Sequence, residues 1–253
     1  MGLFTFLYDR YKLNKEKNFF CNLCNDNNLD IEFICNKSDI HILKEIFHER
    51  VYSDYFPFYQ NVTVVDIGAH KGYFALFAKN NLKDTSRIIA LEPMKKNFEI
   101  LAKNTLNKNI EIYNEGLYSE NIEKDLYINK DENSSLFENY SLLLNLNNSK
   151  ETEKIKLITL EKLFDEYNID KIDFLKLDCE GAEYKILFST NKKILEKIEI
   201  ISMEFHDLKD EYYNAHNLVS FLEKNNFEIK KYAYEKTVIN NNFGKIVAKR
   251  VRS

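Results

Sequence analysis

The stretch VVDIGAHKGYFALFAKN, residues Val64 to Asn80, decides the reading of this chain. An apolar run ends on an acid, Asp66, and two glycines, Gly68 and Gly72, follow with only Ala69, His70 and Lys71 between them. The 253 residues include six glycines in all, so two in one turn call for a physical reason. A strand, a glycine turn and a helix in succession let backbone approach a ligand at a helix N-terminus, where unpaired N–H groups point outward. The pattern predicts a strand over 62–67 and a helix over 73–80.

A second strand is expected over 87–92. It ends on Glu92, and Pro93 suits the first turn of a helix whose apolar face is Met94, Phe98 and Leu101. Glu92 stands where nucleotide-binding α/β folds place an acid on ribose hydroxyls. The three-glycine fingerprint of a dinucleotide site is absent. Asp66, Gly68 and Gly72 instead form D-x-G-x-x-x-G, the arrangement expected for S-adenosylmethionine, which carries a carboxylate, a ribose and a sulfonium but no pyrophosphate. On this reading the glycines let the main chain touch the cofactor, and the turn with Glu92 holds it.

Outward from that unit the chain alternates strand and helix. Strands are expected at 109–114, 117–129 (one or two), 154–158, 172–178 and 199–205, and helices at 160–167, 183–198 and 215–224. Thr159 caps the first of these helices, and Asn225-Asn226 stops the last. The run 172–178 is too continuously apolar for one wet face, which places it centrally in a parallel sheet. Segments 227–239 and 243–250 read as an antiparallel hairpin, and the basic residues Lys245, Lys249, Arg250 and Arg252 as a solvated edge. Upstream, a short strand is expected at 31–34. A helix capped by Ser38 follows, with Leu43, Ile46, Phe47 and Val51 at helical spacing and its end near Tyr52. The aromatic group Tyr52, Tyr55, Phe56, Phe58 and Tyr59 is placed to pack over a pocket mouth. The expected fold is therefore α/β: a mostly parallel sheet with an antiparallel C-terminal hairpin, an N-terminal lead-in or cap over 1–60, and the main domain over 61–253.

Open parallel sheets bind ligands at the carboxyl ends of their strands. One central strand ends Leu177-Asp178-Cys179-Glu180 and the next ends Glu204-Phe205-His206, so alternation brings several proton acceptors to one rim. A hydroxyl becomes a good nucleophile when a positioned base removes its proton. His206 is the first choice for that base, with Glu180 and Asp178 competing. Lys176, inside an apolar strand, is expected to pair with a neighbouring acid. No spacing demands a metal: Cys21, Cys24, Cys35 and His41 lack the compact second pair of a zinc finger.

Together these residues resemble the FkbM family of S-adenosylmethionine-dependent O-methyltransferases. The stretches that carry the resemblance are VVDIGAHKGYFALFAKN, IIALEPMKKNFEILAKN, the loop NSSL, TLEKLFDEYNIDKIDFLKLDCEGAEYKIL and SMEFHD, in order over roughly residues 38–206. The resemblance implies a Rossmann-like class I methyltransferase fold with Asp66, Gly68, His70, Gly72 and Glu92 at the cofactor. Asn114, Glu115 and Gly116 are then candidates near the adenine, with the NSSL loop and Asp178 near the methyl group. It also implies an acceptor hydroxyl on a sugar or on a capsule or lipopolysaccharide precursor, with phosphorylated, nucleotide-linked or phosphoramidate acceptors as variants. A cofactor-binding scaffold without catalysis is the alternative.

A formal net charge of −4 and a pI near 5.8 give no general attraction to nucleic acid. No apolar run approaches the roughly 18 residues of a membrane span, and the opening MGLFTFLYDRYKL is a poor secretory signal. Four cysteines, unevenly placed, suit a reducing compartment. A cytoplasmic protein is expected, in reach of the inner membrane face and with a homodimer possible.

Overall fold

The computed structural model describes residues 37–128, 140–141, 151–206, 208, 210–235 and 243–251. The strand expected at 31–34, the NSSL loop, Cys21, Cys24, Cys35 and Arg252 lie outside the described residues.

Two sheets organise the described chain. The larger has seven strands in the order β10-β11-β9-β8-β1-β2-β3. These are β1 (Thr63–Ile67), β2 (Arg87–Leu91), β3 (Glu111–Tyr113), β8 (Phe174–Leu177), β9 (Ile200–His206), β10 (Phe227–Glu235) and β11 (Phe243–Arg250). From β3 through β9 every pairing is parallel, whereas β11 runs antiparallel to both β9 and β10. As the apolar run predicts, β8 sits between β1 and β9 with all four residues buried. The smaller sheet, order β4-β7-β5-β6, comprises β4 (Gly116–Leu117), β5 (Ile122–Ile128), β6 (Tyr140–Ser141) and β7 (Glu151–Ile158). This is the expected mostly parallel α/β fold with antiparallel C-terminal strands.

The basic C-terminal segment is not the expected edge. β11 is inserted between β9 and β10, which leaves β10 at the rim. Lys245 consequently points inward against Glu204, its register partner on β9. The Arg250 guanidinium is consumed by the carbonyls of Leu195, Ile198 and Asn225.

Among the helices, α1 (Lys37–Leu43) contains Ser38 rather than being capped by it, and continues as a wider π turn over Lys44–Glu49 that Arg50 ends in the left-handed region. α2 (Tyr73–Asn81) begins at Gly72, and α3 (Lys95–Asn104) at Met94, so Pro93 precedes the cap instead of occupying the first turn. The buried face of α3 includes Asn97, Ile100, Leu101 and Asn104, while Phe98 is only partly covered. α4 (Leu160–Glu166) has the expected cap, Thr159 Oγ1 accepting from Lys162 N at 3.2 Å. The single helix expected over 183–198 is two, α5 (Glu183–Ser189) and α6 (Lys192–Leu195), because Asn191 caps a new start on Ile194 N. α7 (Ala215–Lys224) stops at Asn225 as expected.

The stretch 43–56 belongs to the core. Leu43, Ile46, Phe47, Tyr52 and Phe56 are buried in one cluster with Phe74, Phe77 and Phe174 from α2 and β8. Edge-to-face ring contacts join Phe56 to Phe74, Phe77 and Phe174 at centroid distances of 5.2–6.1 Å. Such contacts add about 0.5–1.5 kcal/mol each beyond area burial.

Candidate active site

The carboxyl ends of β1, β2, β8 and β9 open into a cavity of about 260 Å³. Parallel register explains its first charged pair. Asp66 on β1 lies opposite Lys176 on β8, and their charged ends meet at 3.1 Å with almost no exposure. Lys176 Nζ also donates to Gly68 O at 2.8 Å and stands 3.9 Å from Asp178. Burial works against the ammonium, but Asp66 and Asp178 outweigh it and raise its pKa. The expected pairing of Lys176 with a neighbouring acid is what the side chain does.

The glycine turn differs in cause from the expectation. Gly68 lines the cavity at φ +72, but a Cβ on it would lie 1.9 Å from the carbonyl oxygen of Asp178. Gly72, at φ +87, would drive a Cβ to 2.6 Å from Leu101 Cδ1. Close packing of β8 and α3 against the turn demands both glycines. Only Gly68 faces the cavity.

His70 N donates to Glu92 Oε2 at 2.8 Å, and Met94 N donates to Oε1 at 3.0 Å. This fixes the Glu92 carboxylate at the cavity wall, 6% exposed, and burial pushes its pKa up to about 7. Burial holds the His70 imidazole neutral, with its pKa down to about 3. Next to them, Asn97 Oδ1 and His70 Nδ1 are buried without a hydrogen-bond partner among the described residues. Pro93, Met94, Leu117, Leu126, Ile155 and Leu157 make an apolar wall, the last four contributed by the smaller sheet.

Of the candidates after β3, Gly116 lines the cavity. Asn114 ties the carbonyls of Glu92 and Pro93, each at 2.9 Å. Glu115 does not reach the cavity; it accepts from Tyr167 Oη at 2.6 Å and pairs with Lys156.

At the other end, Tyr52 Oη donates to Asp178 Oδ2 at 2.9 Å. Asp178, Glu180 and Glu204 line the cavity with Tyr52, Glu45 and His41 from the N-terminal segment. Lys245 stands 3.7 Å from both Glu45 and Glu204. Burial, and then Asp178, push the Glu204 carboxyl up to about 8. His206 lies behind Glu204, outside the cavity lining. Its nitrogens are 3.5 Å from Glu183, 3.4 Å from Glu180 and 3.7 Å from Glu204. Burial disfavours its charge, but Glu183 outweighs that and raises its pKa to about 10. His206 therefore carries its proton at neutral pH, which conflicts with a role as general base. Glu183, not Asp178 or Glu180, organises the turn before α5 by accepting from Cys179 N and Gly181 N.

Most of this rim is legible in the sequence, but Tyr52 as a hydrogen-bond donor, Glu45, Asn97 and the inward place of Lys245 are not. Register with Glu204 is the signal that would have found Lys245. Among the described residues no cluster has the makings of a metal site.

Residues 66–229 match the Methyltransferase FkbM domain. The chain belongs to the FkbM methyltransferase family. It is 25% identical over 225 residues to the AMB antimetabolite synthetase AmbE of Pseudomonas aeruginosa, a match covering 75% of the chain and 10% of that protein. The FkbM chain thus spans about a tenth of that relative's length. Similar solved structures include precorrin-6y C5,15-methyltransferase from Geobacter metallireducens, at TM-score 0.47 and 13% identity over 89% of this chain and 96% of that one. Magnesium protoporphyrin IX methyltransferase from Synechocystis PCC 6803 matches at TM-score 0.46 and 9% identity over 91% and 90%. Among the described residues no helix is long and apolar enough to cross a membrane.

Proposed function

We propose that this methyltransferase uses S-adenosylmethionine to methylate a hydroxyl on a sugar or surface-polysaccharide precursor. The observation that carries the reading is the Glu92 carboxylate, fixed by two backbone N–H groups and facing the same cavity as Asp178 and Glu204. A carboxylate beside an apolar wall suits a ribose next to an adenine. When bound, the cofactor supplies a methyl group on a sulfonium.

The residues of the chain then have distinct tasks. Gly68 and Glu92 hold the cofactor end, and Asp66 keeps Lys176 charged beneath Asp178. Tyr52 orients Asp178 toward the acceptor. Glu204, whose carboxyl is pushed up to about 8, is a stronger base than an ordinary carboxylate in its ionised form, and the ionised share grows as pH rises through 8. His206, Glu180 and Glu183 form the charged support behind it. In-line placement and exclusion of water supply the rest.

Calorimetric titration with S-adenosylhomocysteine tests the reading. Glu92→Ala is expected to weaken binding roughly ten- to a hundredfold, from the loss of about 1.5–3 kcal/mol of charged hydrogen bonding. A folded wild-type protein that binds none would sink it.

A further inference from the structure

We propose that the acceptor carries an ammonium group close to the hydroxyl that is methylated, as an amino sugar does, and that Glu45 is the residue that selects it. The inference rests on the proposed function and names the class of acceptor for the same cavity.

The end of the cavity away from Glu92 is built from two sources. Residues 66–229, the span of the family match, supply Asp178, Glu180 and Glu204. The rest of that wall lies outside the span: His41, Ile42, Glu45, Ile46 and Tyr52 before it and Phe243 after it. A wall outside the family match is where a preference particular to this chain can reside, and Glu45 is its one carboxylate. Glu45 stands on the π turn Lys44–Glu49, and its carbonyl accepts from both Arg50 N and Val51 N, which fixes it in place.

The charges around this end do not balance. Lys176 lies between Asp66 and Asp178, at 3.1 and 3.9 Å. Lys245 stands 3.7 Å from both Glu45 and Glu204. Protonated His206 lies among Glu180, Glu183 and Glu204. At full ionisation three cations therefore face six carboxylates, a shortfall of three positive charges. His41, 3.9 Å from Glu45, supplies at most one of them. S-adenosylmethionine brings a net charge of one through its sulfonium. At least one carboxylate is left for the acceptor to balance.

A solute can reach these acids. The side chains of Asp178, Glu180, Glu204 and Glu45 line the cavity and are 20–53% exposed. Among the described residues no group of three could hold a metal ion, so an organic cation is the better partner. A phosphorylated acceptor would meet like charge on this wall. In the empty cavity burial pushes the Glu180 carboxyl up to about 7 and the Glu204 carboxyl up to about 8, so protons meet part of the shortfall. An arriving ammonium displaces them.

The experiment begins with S-adenosylhomocysteine. Protein saturated with it is titrated calorimetrically at neutral pH with glucosamine, glucose and glucose 6-phosphate, and with ethanolamine, which keeps an ammonium near a hydroxyl without the ring. Two buffers of different ionisation enthalpy report proton release. Glucosamine is expected to bind about tenfold more tightly than glucose and to release protons, and glucose 6-phosphate to bind more weakly than glucose. Glu45→Gln, nearly the same shape, should weaken both amines about tenfold and leave glucose little changed. Should that variant fail to fold, Lys245→Met deepens the shortfall and should tighten amine binding instead. Glucose or its phosphate binding as well as glucosamine, no binding of either amine, or amine affinity unmoved by the charge change would overturn the proposal and leave the proposed function intact. Absence of S-adenosylhomocysteine binding to folded wild type would overturn both, and is seen at the first step.

Discussion

Lys71, in the middle of the glycine turn, places its ammonium 2.7 Å from Asp39 on α1, and the two side chains are 3% and 0% exposed. Tyr73 Oη donates to the same Asp39 oxygen at 3.0 Å. Helix α1 and the glycine turn are thus joined by a buried charge pair. Removing one partner of such a pair leaves the other charge stranded, at a cost of about 3–5 kcal/mol. Asp39→Asn should lower stability by that amount in urea denaturation. Lys71→Met combined with Asp39→Asn should recover part of it.

The two glycines of the turn should respond differently to alanine. At Gly68 the new Cβ meets backbone, the Asp178 carbonyl at 1.9 Å, and nothing there can rotate away. At Gly72 it meets the end of a leucine side chain. Gly68→Ala is expected to cost about 3 kcal/mol or more and to displace Asp178, whereas Gly72→Ala should cost about 1–2 kcal/mol. Thermal melts of both variants check the order, and the reverse order would contradict the packing described.

His206 should titrate far from an ordinary histidine. Its folded pKa of about 10 lies above the unfolded value, so the stabilisation is complete below about pH 6.5 and is lost as pH rises through 10. An NMR titration of the imidazole carbons should show no midpoint between pH 5 and 8. In Glu183→Gln the midpoint should move back toward 6.5, with a loss of about 2–3 kcal/mol in stability from the Cys179 and Gly181 amides that Glu183 also holds.

Affinity for S-adenosylhomocysteine should depend on Glu92 ionisation. A carboxyl whose pKa rises to about 7 on folding takes up protons relative to the unfolded chain, so this group lowers stability as pH climbs from about 4.5 to 7. Ribose hydroxyls favour the ionised form, so affinity should fall as pH drops below 7. Glu92→Gln should flatten that dependence across pH 5.5–8.5.

Much of this was legible because parallel strands announce themselves. The apolar runs ending at Ile67 and Leu177, the acids that follow them, and the cap at Thr159 depend on residues near in sequence. What was not legible depends on partners far away. The charge of His206 is set by Glu183, which sits on a different element. The need for glycine at 68 comes from a carbonyl 110 residues later. Counting apolar positions on α3 selected Phe98 and passed over Asn97, because a buried polar residue has no periodic signature. The basic C-terminal strand looked like a rim because lysines usually protect edges, and only its register against Glu204 shows otherwise.

The strand order has a consequence for the sequence of events during synthesis. β10 leaves the ribosome before β11, yet β11 must lie between β10 and β9. Until residue 250 has emerged, β9 presents an unpaired flank, and Phe243 is missing from the wall of the cavity. At roughly 5–20 residues per second, most of the sheet waits many seconds for the piece that closes it. The nascent chain is then most exposed to strand-pairing errors and to chaperones that recognise open edges. Closure of that wall thus depends on the segment that reads least like part of a catalytic site.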